Sequence, residues 1–117
     1  MPIADHILIC DLEVFYRVGV PDAERAQPQR LLLTIEMETD FTAAAAEDDL
    51  TRTIDYFAVS QRLLGFGEGR SWKLIETLAV ELAELIRTEF KAKTVGVEVK
   101  KFILPEARYV AVQIRRP

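Results

Sequence analysis

At 117 residues, half of them hydrophobic and 29% charged, with a formal net charge of −4, the chain reads as one globular domain spanning residues 1–117; such a domain buries roughly two-thirds of its unfolded surface. No apolar run approaches a membrane span, and residues 1–11 carry neither the basic start nor the apolar stretch of a signal peptide, so a cytoplasmic protein without a membrane partner is expected. The acidic balance argues against nucleic acid as a partner despite the local cluster of Lys100, Lys101, Arg108, Arg115 and Arg116, and a lone cysteine and a lone histidine exclude a structural zinc site, so no metal is expected.

Asp5 to Arg17 reads as a long strand with Leu8, Cys10, Leu12, Val14 and Tyr16 on one apolar face, which places Cys10 in the core as a reduced thiol. Val18 to Gln29 is punctuated by Gly19, Pro21, Asp22 and Pro28 and reads as a loop. Arg30 to Phe41 alternates again, Leu31, Leu33, Ile35 and Met37 against Thr34, Glu36 and Glu38, as a second strand paired with the first. A helical turn is predicted over Ala43 to Asp49, and Asp55 caps a helix from Tyr56 to about Leu64 that ends in the glycines at 65, 67 and 69. Ser71 is the candidate cap of the next helix, whose stripe is Leu74, Ile75, Leu78, Ala79, Leu82, Leu85 and Ile86.

Two more strands follow, about Thr94 to Lys101 and Arg108 to Arg115. The resulting ββααββ order is an α+β fold, an antiparallel four-stranded sheet with both helices on one face. The uncovered edges and second sheet face point to a homo-oligomer. His6 has no evident partner in the sequence.

Lys101 breaks the pattern of its own strand. Val95, Val97 and Val99 share one face, with Gly96, Glu98 and Lys100 on the other, and Lys101 continues the valine face. An ammonium turned towards apolar surface needs a partner, and desolvation favours its neutral, basic form. The alternative is that the strand ends at Lys100 and Lys101 turns into water.

Four segments, Val18-Gly19-Val20-Pro21-Asp22-Ala23-Glu24-Arg25, Asp48-Asp49-Leu50 with Ile54-Asp55-Tyr56, Leu74-Ile75-Glu76-Thr77-Leu78-Ala79 and Val97-Glu98-Val99-Lys100-Lys101, occur in the order and spacing of the dihydroneopterin aldolases, which the chain resembles over nearly its whole length. The resemblance implies a tunnelling fold. In that fold ββααββ sheets join edge to edge into a ring, a tetramer usually stacked as an octamer, with active sites between neighbouring subunits. It also implies retro-aldol cleavage of the C1′–C2′ bond of 7,8-dihydroneopterin, which releases glycolaldehyde and leaves 6-hydroxymethyl-7,8-dihydropterin for folate biosynthesis. The pterin ring supplies the electron sink through its C6=N5 imine, so no cofactor is implied.

By position, Lys101 matches the family's catalytic lysine, which relays a proton through water, and Glu24 matches the loop glutamate beside the substrate side chain. Tyr56 matches the tyrosine that helps protonate the enol from the adjacent subunit. Glu76 matches the fork-like acceptor of the pterin's 2-amino and ring N–H groups, and backbone groups near Ile54 and Ile75 complete the pocket.

Phe102 stands where many family members have proline after the lysine. A related enzyme epimerises dihydroneopterin or its triphosphate at C2′ by similar chemistry, and Lys100 and Arg108 are residues that would favour a phosphorylated substrate. A non-catalytic pterin-binding module is the reading from another class; it would need Glu76 but neither Lys101 nor Tyr56.

Overall fold

In the computed structural model, which describes residues 4–117, the strand alternation read from the sequence becomes a five-stranded sheet with helices packed against it. The first three residues of the stretch read for a signal peptide lie outside the described residues. Strand β1 (His6–Val18) pairs antiparallel with β2 (Gln29–Glu38), β2 with β4 (Val95–Lys101), and β4 with β5 (Val110–Arg116). These are the four expected strands. A fifth, β3 (Ser71–Trp72), lies parallel to the end of β1, giving the order β3-β1-β2-β4-β5.

Between β1 and β2 the predicted loop holds one turn of helix, α1 (Asp22–Arg25), and after β2 come α2 (Thr42–Glu47) and a 3-10 turn at Leu50–Arg52. The long helices are α3 (Tyr56–Gly65) and α4 (Ile75–Phe90). Asp55 caps α3 as expected, its carboxylate accepting from the amides of Phe57 and Ala58. Ser71 does not cap α4. Its backbone belongs to β3, and the capping position falls to Leu74, which offers no side-chain bond.

The core lies between the helices and one sheet face. Leu31, Leu33, Ile35 and Met37 of β2 and Val95, Val97 and Val99 of β4 are buried against Leu78, Leu82 and Ile86 of α4, each side chain contributing about 1.5–3 kcal/mol over its exposed state. No helix among the described residues is long and apolar enough to cross a membrane.

The face of β1 departs from its reading. Register slips between Ile9 and Leu12, and Asp11 takes φ 56°, a left-handed conformation that marks a bulge. One extra residue reverses the parity: Ile7 and Ile9 point inward before it and Leu12, Val14, Tyr16 and Val18 after it. Leu8 is therefore 59% exposed, and Cys10 is exposed rather than buried.

Candidate functional site

Lys101 is the last residue of β4, paired with Leu31 on one side and Val110 on the other. The strand therefore does not end at Lys100, and Lys101 keeps the valine face, with 13% of its side chain exposed. Its Nζ lies 2.7 Å from Glu24 Oε2. Glu24 reaches it from α1, across the turn that Gly19 opens. Gly19 has φ 134°, and a Cβ there would overlap the Glu24 carboxyl, so only glycine admits both the backbone and the side chain.

Charged side chains lace this turn together. Arg25 donates from Nη1 to the carbonyls of Gly19 and Val20, each at 2.7 Å, and pairs with Asp22. Arg17 donates to the carbonyls of Arg25 and Ala26. Gln29, the first residue of β2, donates from Nε2 to Glu24 Oε2 and to the Val18 carbonyl, both at 3.0 Å. The Glu24 carboxyl is held below its ordinary range, first by Lys101 and then by Gln29, with partial burial opposing them.

Gln29 and Gly19 were not among the residues singled out from the sequence. Gln29 shares the parity of Leu31 and Leu33, so it is a polar residue continuing an apolar row. That is the same signal that exposes Lys101.

Glu76 and Ile75 belong to this end of the sheet. Helix α4 starts just beyond Trp72, whose carbonyl accepts from the Gly19 amide at 2.9 Å. Glu76 is exposed in the first turn and Ile75 is buried beneath it. Tyr56 and Ile54 stand elsewhere, flanking an apolar hollow of about 520 Å³ that also includes Ile7, Phe41 and Leu50. Tyr56 is 63% exposed beside it. Ile7 is in the row of Met37 and Val95, six residues along β4 from Lys101, which at the usual strand rise is about 20 Å. Within one chain, then, Glu24, Gln29, Glu76 and Lys101 lie at one end of the sheet, and Ile54 and Tyr56 at the other.

Strand alternation turns Lys100 to the opposite face from Lys101. Its Nζ lies 2.9 Å from Asp11 Oδ1 and 4.9 Å from the Tyr109 ring centre, so it is engaged away from the Glu24 pair and is not placed to receive a phosphate there. His6 also has a partner the sequence did not reveal, Glu36, at 3.5 Å.

The description of the family model that matches residues 7–115 is FolB, dihydroneopterin aldolase. The chain belongs to the dihydroneopterin aldolase family. A Haemophilus influenzae dihydroneopterin aldolase is 33% identical over 113 residues, 96% of each chain. The crystal structure of a FolB protein from Vibrio cholerae superposes with a TM-score of 0.93 at 36% identity, covering 98% of both chains. The Escherichia coli dihydroneopterin aldolase, solved in complex with neopterin, gives a TM-score of 0.91 at 31% identity over 97% of this chain and 99% of its own. The long first strand, the Gly19 turn and the two central helices are therefore the frame of a dihydroneopterin aldolase fold.

Proposed function

We propose that this chain is a dihydroneopterin aldolase acting on 7,8-dihydroneopterin in the cytoplasm. The observation that carries the reading is the Lys101–Glu24 pair, a lysine kept on an apolar strand face by a loop carboxylate 2.7 Å away. An Escherichia coli relative at 31% identity binds neopterin, which has the same ring and side chain at a different oxidation level.

In this reading Glu76 accepts the 2-amino and ring N–H donors of the pterin, with backbone groups near Ile75 and Ile54 closing the pocket. A water held by Lys101 and Glu24 takes the proton from the 2′-hydroxyl. The C1′–C2′ bond breaks, its electrons pass into the C6=N5 imine, and C2′ leaves as the aldehyde carbon of glycolaldehyde. Protonation at C1′, assisted by Tyr56, then yields 6-hydroxymethyl-7,8-dihydropterin.

Tyr56 lies too far from Lys101 in one chain to serve it, so the tyrosine comes from a neighbouring subunit. Among the described residues, the outer edge of β1 has no partner beyond Arg17 and Val18, and neither has that of β5. Joining these edges between copies produces a ring, and stacking two rings produces an octamer.

The test is to incubate purified protein with 7,8-dihydroneopterin and follow both products. Glycolaldehyde and 6-hydroxymethyl-7,8-dihydropterin are expected in equal amounts, both after exhaustive chelation and with enzyme that has been treated with borohydride in the presence of substrate and then freed of the reagent. An isomer of unchanged mass as the product would make the enzyme an epimerase, and activity lost on chelation and restored by zinc would overturn the metal-free scheme.

A further inference from the structure

Both polar contacts of the Glu24 carboxylate fall on one oxygen. Oε2 faces Lys101 Nζ at 2.7 Å and Gln29 Nε2 at 3.0 Å. Among the described residues, Oε1 accepts no hydrogen bond; it lies over Gly19, where the missing Cβ leaves it room. We infer that Gln29 is a positioning residue that commits one oxygen of Glu24 to Lys101 and leaves the other open to a hydroxyl of the substrate side chain. The inference rests on the aldolase reading of this site.

The chemistry of the amide fixes the arrangement. A carboxamide nitrogen has two hydrogens, and here one goes to the Val18 carbonyl and the other to Glu24. Both partners are acceptors, so the opposite amide orientation would set oxygen against oxygen twice. The Val18 bond ties Gln29 to the β1 backbone just before the Gly19 turn, and Glu24 inherits that rigidity.

Gln29 is also neutral. The cations beside Glu24 are Lys101 from β4 and Arg25 from its own helix. Arg25 is turned to the Gly19 and Val20 carbonyls and to Asp22. A donor without charge orients the carboxylate while leaving Lys101 its dominant counter-ion. A lysine or arginine at position 29 would compete for the same oxygen.

The test compares wild type with Gln29→Met, which keeps the length of the side chain and loses both donors. Two readouts are used: the titration of the Glu24 side-chain carboxyl by carbon-13 NMR, and the pH profile of kcat. In Gln29→Met the carboxyl should titrate at higher pH, with the acid limb of kcat moving the same way. Turnover should fall about ten- to a hundredfold, the scale of a misplaced reacting group, while KM changes by less than about threefold.

A carboxyl that titrates as in wild type, or a loss of kcat with an unmoved pH profile, would overturn the role, since mere loosening of the loop gives the latter. Gln29→Asn, too short to span both acceptors, should behave as Gln29→Met does and supplies the same readouts if the methionine variant does not fold. The titration is independent of turnover. If wild type fails to cleave dihydroneopterin, the aldolase reading falls while the role of Gln29 in placing Glu24 is still decided.

Discussion

Lys101 and Glu24, 77 positions apart in the chain, meet through a 2.7 Å contact between the last residue of β4 and the helical turn after β1. Two independent features make the contact: the strand parity that turns Lys101 inward and the Gly19 turn that lets the Glu24 carboxyl lie flat over the backbone.

Binding and chemistry should separate. Lys101→Ala is expected to bind neopterin with nearly wild-type affinity while turnover falls by roughly two to four orders of magnitude, the usual share of an acid–base group. Glu76→Ala should weaken neopterin binding by about ten- to a hundredfold, as expected for loss of a charge-assisted hydrogen-bond pair. Calorimetry and steady-state kinetics measure the two effects. If the effects were exchanged between the variants, so would be the roles.

Two carboxylates held by lysines should contribute to the acid dependence of stability. Glu24 is depressed by Lys101 and Gln29, and Asp11 by Lys100. A carboxyl with a lowered folded value stabilises the fold fully above its unfolded value and loses that contribution as pH falls through the folded one. Starting from ordinary values of 4.5 for Glu24 and 3.8 for Asp11, urea midpoints should therefore decline below this range. Lys101→Met and Lys100→Met should each flatten the decline. Curves parallel to wild type would show that the pairs do not persist in solution.

Subunit mixing tests the proposed sharing of the site between neighbouring subunits. Tyr56→Phe and Lys101→Ala should each be impaired alone, yet after dissociation and reassembly together about a quarter of the interfaces in a random ring carry both intact residues. Activity should rise to about that fraction of wild type. A mixture with demonstrated subunit exchange that is no more active than the average of its parents would place the site within one chain.

Tyr16 provides a stability prediction away from the site. Its hydroxyl donates to the Leu63 carbonyl at 2.5 Å, its ring packs on Phe66 and Trp72, and burial pushes its ionisation well above the ordinary value of 10.0. Tyr16→Phe should lose about 1–2 kcal/mol in urea unfolding at neutral pH. A raised folded value stabilises fully below the unfolded one and is lost as pH rises beyond it, so the alkaline decline above pH 10.0 should be shallower in the variant. An unchanged midpoint would mean that water replaces the bond at no cost.

Much of the architecture was legible because local periodicity carries it. The valine row of β4, the leucine row of β2 and the stripe of α4 each declare their buried face within a few residues, and Asp55 declares the start of α3. Lys101 was legible for the same reason, as a charge on an apolar row. Gln29 sent the same signal from the first position of β2.

The tertiary structure decided what periodicity cannot carry. The bulge at Asp11 is fixed by partners far along the chain, the Thr34 hydroxyl accepting from the Asp11 amide at 3.1 Å and Lys100 reaching its carboxylate. One inserted residue then reverses every side chain before it, moving Cys10 and Leu8 out and Ile7 and Ile9 in. The separation of Tyr56 from Lys101 is likewise invisible in the sequence, because it depends on which end of β1 each helix begins from. A period of two specifies a face only while the register holds, and register is set by contacts between strands.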